Sequence, residues 1–208
     1  MFFLKNTKLY LSFITIISLS FFGGAHLAFS SSTATTPIQK IESHLIELKK
    51  NDQGIRQKLI EVGFDNLTES LRNELDSIDK KNTDSLKRII NDHGWPILSQ
   101  INKEAKNAFL IIIQHSDKDP EFQQHALKFV KRAYEEGHIK GQDVALLTDQ
   151  ILLAEGKPQK YGTQFNVVNG EFIIFPLENE SKVDFYRSEL KLPKLEQYID
   201  ILKKYYAN

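Results

Sequence analysis

Two polar clusters and one aromatic turn carry the residue types that chemistry needs. Gln114-His115-x-Asp117 directly follows the most apolar stretch of the chain, Ala105 to Ile113, and directly precedes Asp119-Pro120-Glu121. A carboxylate two residues from a histidine can fix the imidazole tautomer, so His115 as general base and Asp117 as its orienting partner are the candidate catalytic residues. Gln114 or Gln164 stands where an amide could polarise a carbonyl. Gln159-x-Tyr161-Gly162-Thr163-Gln164 offers two amides, a phenol and a hydroxyl. Together they donate and accept hydrogen bonds, as recognition of a carbonyl, sugar or peptide group requires, and Gly162 permits close backbone approach. His93-Gly94-Trp95-Pro96 puts the single tryptophan in a tight turn after a helix. The candidate ligand-binding residues are therefore His93 and Trp95 from the turn, Gln114 and Gln123 beside the histidine, and Gln159, Tyr161, Thr163 and Gln164 from the late loop.

Each cluster also has a purely structural reading. His115 could bond a carbonyl at a helix C-terminus while Asp117 caps a turn. Trp95 could plug the core from its loop, with His93 as a helix end. The 159–164 set could tie an irregular loop to the helices through buried hydrogen bonds. A metal site would have to recruit His93, His115 and Asp117, whose spacing matches no ligand pattern, so neither metal nor cofactor is expected. The chain has no cysteine, which excludes disulfides, thiolate metal sites and a cysteine nucleophile. No Gly-x-Ser-x-Gly elbow, phosphate loop, His-Glu-x-x-His pair or dinucleotide fingerprint is present. Two classes of function follow: a binding or interaction module with a polar recognition pocket, or a hydrolase or lyase using the His115/Asp117 base.

Asp52-Gln53-x-x-Arg56, His93-Gly94-Trp95-Pro96, Gln114-His115-x-Asp117, Gln123, Asp149 and Gln159-x-Tyr161-Gly162-Thr163-Gln164 occur in an order and spacing that resembles an uncharacterised bacterial domain family of unknown function. The resemblance runs from the first mature helix to the end of the chain. One departure is Ser116, where the family usually has alanine. The resemblance implies that these polar residues recur together, as one pocket or one hydrogen-bond network, and it transfers no activity.

The elements that must position these residues are mostly helices. The 208 residues, 41% hydrophobic and 26% charged, suit a single soluble globular domain. Thr36-Pro37 starts a long amphipathic helix, with Ile38, Ile41, Leu45, Leu48, Ile55, Leu59 and Val62 on one face until Gly63. A polar segment around Leu67, Leu71, Leu75 and Ile78 follows. Thr83 or Asp84 is expected to cap a third helix ending before Gly94. Ala105 to Ile113 is a core helix or buried strand, and Lys103, Glu104 and Lys106 before it favour the helix. Asp119-Pro120-Glu121 opens a helix that Gly137 stops, and Val144 to Leu152 forms another that Gly156 stops. The period then changes to two: Phe165 to Val168 and Glu171 to Ile174 flank Asn169-Gly170, the signature of a hairpin with a type I′ turn, within about 164–175. Val183 to Leu190 and Leu195 to Tyr206 close the chain as two short helices around Pro193. The expectation is a mainly α fold: a single irregular α-helical domain, residues 37–208, with one late β-hairpin. Gln114, His115 and Asp117 are expected beside Gln159, Tyr161 and Gln164, because two polar clusters bordering one core must satisfy each other or lose hydrogen bonds.

Residues 1–30 read as a secretory signal peptide: Lys5 and Lys8, an apolar run from Leu9 to Phe22, Gly23-Gly24, and a cleavage site at Ala28-Phe29-Ser30. Residues 31–36 then form a flexible lead. The protein is expected in the periplasm or secreted, with an uncleaved inner-membrane anchor as the alternative. Lys+Arg 27 against Asp+Glu 27 gives no net charge, and loss of Lys5 and Lys8 leaves 25 against 27. With no basic field, nucleic acid is not an expected partner; a small molecule or an envelope component is. Membrane contact would come only through an uncleaved signal segment.

Overall fold

Thr36 and Pro37 set the first helix as the sequence predicts. In the computed structural model, which describes residues 36–63, 66–95, 97–168 and 171–206, α1 spans Pro37–Val62. Its capping box is complete: Gln39 N–H donates to Thr36 Oγ1, and Gln39 Oε1 accepts from Thr36 N–H. Gly63, at φ 79°, ends it. Seven further helices follow among the described residues: α2 (Glu69–His93), α3 (Ile97–Gln100), α4 (Lys103–Gln114), α5 (Pro120–Glu135), α6 (Gly141–Ala154), α7 (Val183–Glu189) and α8 (Leu195–Tyr206). Strands β1 (Phe165–Val168) and β2 (Glu171–Ile174) form one antiparallel hairpin between α6 and α7. The fold is mainly α with one late hairpin. The signal-peptide and flexible-lead expectations (1–36) fall almost wholly outside the described residues. Among those described, no helix is long and apolar enough to cross a membrane.

One expectation is corrected. Neither Thr83 nor Asp84 starts a helix: α2 is continuous from Glu69 to His93, capped by Thr68, whose Oγ1 accepts from Leu71 N–H. The Thr83 hydroxyl instead donates back to the Asp79 carbonyl four residues earlier, and Lys80 pairs with Asp84 one turn on, so both residues support a helix interior.

The described chain falls into two compact units, residues 36–112 and 113–206. In the first, α1 packs against α2 around Leu45, Leu48, Ile55, Leu59, Leu75, Leu86 and Ile89. A charged group lies within this pair. Arg56 is fully buried and donates to Asp52 at 2.7 Å, and its other terminal nitrogen lies 2.9 Å from Asp79 of α2. Asn82 adds a side-chain hydrogen bond to the Leu48 carbonyl.

In the second unit α5 packs on α6, with Asp119 Oδ1 accepting from Phe122 N–H at the α5 start and Pro120 at its first position. The hairpin register pairs Phe165 with Ile174 and Val168 with Glu171, which leaves two connecting residues. The expected type I′ geometry of Asn169-Gly170 lies outside the described residues. Phe165 packs with Tyr198 and Leu202 of α8, and Phe172, Ile174 and Leu195 border that cluster.

Candidate functional site

The second unit contains the polar core to which most candidate residues belong, and Asp149 organises it. Asp149 sits in α6 between Leu147 and Ile151, two buried hydrophobics, and is itself fully buried. Its carboxylate accepts four hydrogen bonds from the loop after α6. Oδ1 takes the backbone N–H of Lys160 at 2.8 Å and of Tyr161 at 2.9 Å. Oδ2 takes the Thr163 N–H at 2.9 Å and the Thr163 hydroxyl at 2.8 Å. Three of these donors are main-chain groups that a polar, non-repetitive loop cannot pair by itself. Burial pushes the Asp149 pKa up from the ordinary aspartate value, against the hydrogen bonds that pull it down.

A second buried charge grips the same loop from the other side. Arg187 of α7 has no exposed surface; its Nη1 donates to the Tyr161 carbonyl at 2.6 Å and its Nε to the Pro193 carbonyl at 2.7 Å. Its guanidinium carbon lies 4.8 Å from the Tyr198 ring centre. The N–H of Tyr161 thus rests on an anion and its C=O on a cation. Gly162 at φ 68° completes the turn, and a Cβ there would lie 2.8 Å from Leu195 Cδ1.

Gln159 closes the loop on the strands. Its Nε2 donates to the carbonyls of Gln164 and Phe175, and its Oε1 accepts from Gln164 N–H, so the side-chain amide is used at both ends. Gln164 Nε2 donates to Thr163 Oγ1, making a chain that runs from amide to hydroxyl to the Asp149 carboxylate. Tyr161 is buried, and its phenol pKa is pushed up to about 12 by burial and by the carboxylates of Asp149, Glu189 and Glu178. It is a neutral hydrogen-bonding group at any physiological pH.

The Gln114-His115-x-Asp117 corner ends α4. Gln123 Nε2, from α5, donates to the carbonyls of Ile113 and Gln114 at 2.9 and 3.0 Å. Gln150 Nε2, from α6, donates to the Gln114 carbonyl at 2.6 Å. Both amides satisfy carbonyls that the end of a helix leaves open. His115 is buried at 2% exposure and Asp117 is half-buried. The two polar clusters therefore meet α6 at consecutive positions: Gln150 holds the α4 end and Asp149 holds the 159–164 loop. His93 and Trp95 belong to the first unit. His93 is exposed at the last position of α2; Trp95 is half-buried, its ring edge-on to Phe109 at 6.1 Å. Among the described residues no group of three histidine, cysteine, aspartate or glutamate side chains could hold a metal.

Gln150 and Arg187 were not among the residues picked from the sequence, and Asp149 entered only through the resemblance. Their signals are nonetheless present. Asp149-Gln150 interrupts an apolar helix face, and Arg187 falls four residues after Val183 and three before Leu190, both buried, on the inward side of α7.

No curated protein and no solved structure matches the chain. The sequence model of a family of unknown function, DUF6624, matches residues 39–208, and the chain belongs to that family.

Proposed function

We propose that this protein is an exported binding module of the cell envelope whose recognition site is the polar core around Asp149. One observation carries the reading. Of the buried side-chain atoms that find no hydrogen-bond partner within the described protein, three, Gln150 Oε1, Gln164 Oε1 and Arg187 Nη2, belong to this core. Native interiors pair nearly all such atoms, because an unmet buried donor or acceptor costs about 1–3 kcal/mol. Each of the three stands one step from Asp149: Gln150 is its neighbour in α6, Gln164 reaches it through Thr163, and Arg187 through the Tyr161 peptide unit. Acceptors and a cationic donor without protein partners suit a small polar ligand. Export rests on the N-terminal segment of the sequence.

A thermal-shift screen of polyols, amides and short peptides tests the binding reading. A ligand at about 100 times its dissociation constant adds about 2.7 kcal/mol, so a saturable rise in the unfolding midpoint is expected, absent from Gln164→Leu. No saturable rise with any compound, together with a Gln164→Leu variant more stable than the natural protein, would overturn it. For export, N-terminal sequencing is expected to read from near Ser31; recovery of the full-length chain in the membrane fraction would replace the signal peptide with an anchor.

A further inference from the structure

Arg187 turns inward from α7, and the residues just before it build a surface feature that stands apart from the buried core. Phe185 is 62% exposed, more than any other large hydrophobic side chain among the described residues. Its ring centre lies 6.0 Å from that of Tyr186, which is half-buried. Lys160 Nζ stands 4.6 Å from the centre of the Tyr186 ring and 5.3 Å from that of Tyr161. Phe185, Tyr186, Lys160 and Tyr161 thus form one row, each within ring-contact or cation–π distance of the next. A lone exposed hydrophobic residue needs no explanation, but a joined row of aromatic faces ending in an exposed ring does. The row is also rigid. Asp149 holds the Lys160 N–H, and Arg187, next to Tyr186, donates to the Tyr161 carbonyl, so the loop and α7 cannot part without breaking buried hydrogen bonds. Little order is left to impose when a partner arrives.

Charge selects the partner. Lys182, at the start of α7, precedes Phe185 by three residues and Glu189 follows it by four, so a cation and an anion flank the ring along one helix face, and both are exposed. An anionic partner would meet Glu189 and the exposed Asp184, and a cationic one would meet Lys182 and Lys160. The place beside the Tyr186 and Tyr161 rings where a foreign cation could sit already carries the Lys160 ammonium. A neutral partner suits this balance, with an apolar face for Phe185 and a rim that donates to a carboxylate and accepts from an ammonium. A sugar ring has both. Its C–H bonds make an apolar face whose hydrogens suit the negative face of an aromatic ring, and each hydroxyl donates and accepts. We propose that Phe185, Tyr186 and Lys160 form a surface site for a neutral glycan, with Phe185 as the stacking platform and Lys160 and Glu189 as the hydrogen-bonding groups around it.

Cellohexaose, mannohexaose and chitohexaose are titrated into the purified protein by isothermal calorimetry, beside hexagalacturonate as the anionic counterpart, hexalysine as the cationic one and a neutral hexapeptide of alternating serine and leucine. At least one neutral hexasaccharide is expected to bind saturably. Phe185→Ala should weaken that binding about fivefold or more, whereas Ile201→Ala, which trims another exposed hydrophobic side chain of the same unit, should leave it unchanged. Both changes are on the surface, and far-ultraviolet circular dichroism checks that the variants are folded. Lys160→Met should weaken binding as well; an unchanged affinity would overturn the part assigned to Lys160. No saturable heat with any hexasaccharide, or equal binding by Phe185→Ala, would overturn the site. Tighter binding of hexagalacturonate, hexalysine or the peptide would overturn the neutral-glycan class. Binding lost in Gln164→Leu but kept in Phe185→Ala would put the sugar in the Asp149 core, overturning the surface site and leaving the earlier reading intact.

Discussion

Replacing Asp149 by alanine removes the acceptor for four donors at once. Two of them, the N–H groups of Tyr161 and Thr163, are buried, and the Lys160 N–H is partly so. The Thr163 hydroxyl can turn to another acceptor, whereas the backbone groups are fixed by the Gly162 turn. Each orphaned buried N–H costs about 1–3 kcal/mol, so the two buried ones give a gross loss of about 2–6 kcal/mol. Relief of the buried carboxylate, which already raises its pKa, offsets part of this. A net loss of about 3 kcal/mol is expected, a large share of a stability that is usually about 5–15 kcal/mol. Urea unfolding followed by far-ultraviolet circular dichroism measures it. At a slope of about 2 kcal/mol/M the midpoint falls by about 1.5 M. Asp143→Ala, which removes a side-chain acceptor from the exposed Lys140 N–H at the start of α6, is the control and should cost about 1 kcal/mol. If Asp149→Ala costs no more than this control, the loop is held by something other than the carboxylate, and the Asp149-centred core is refuted.

Other outcomes follow from the same geometry. Gly141→Ala would drive its Cβ into the Leu190 carbonyl and should cost about 2–3 kcal/mol, while Gly54→Ala in α1, with open space around it, should stabilise by about 0.5–1 kcal/mol; thermal denaturation compares them. Arg56→Ala leaves Asp52 and Asp79 buried without their cation and should cost about 3–5 kcal/mol, read by Trp95 fluorescence in the same unit. Tyr161 has a folded pKa of about 12 against an ordinary 10.0, so its contribution is complete below pH 10 and is lost as pH rises through 12. Tyr161→Phe should therefore flatten the alkaline limb of the stability profile between pH 10 and 12.

Local elements were legible where one short-range rule decided them. Thr36-Pro37 and Asp119-Pro120 placed two helix starts, because a capping oxygen and a proline act within one turn. The switch to period two at Phe165 placed the hairpin for the same reason. Thr83 failed as a helix start because its hydroxyl can serve either a cap or the carbonyl four residues back, and the choice depends on whether the helix already runs through it.

The candidate site divides along the same line. From the sequence alone come the mainly helical fold, the polar residues beside the core, and the family to which residues 39–208 belong. The tertiary structure decided what those residues do. It used the amides of Gln123 and Gln150 on the carbonyls that end α4, and it brought Arg187 of α7 onto the loop that Asp149 holds. A side chain's type fixes which hydrogen bonds it can make. Which it does make depends on partners tens of residues away, such as the 26 positions between Tyr161 and Arg187, and only packing of the helices sets that distance.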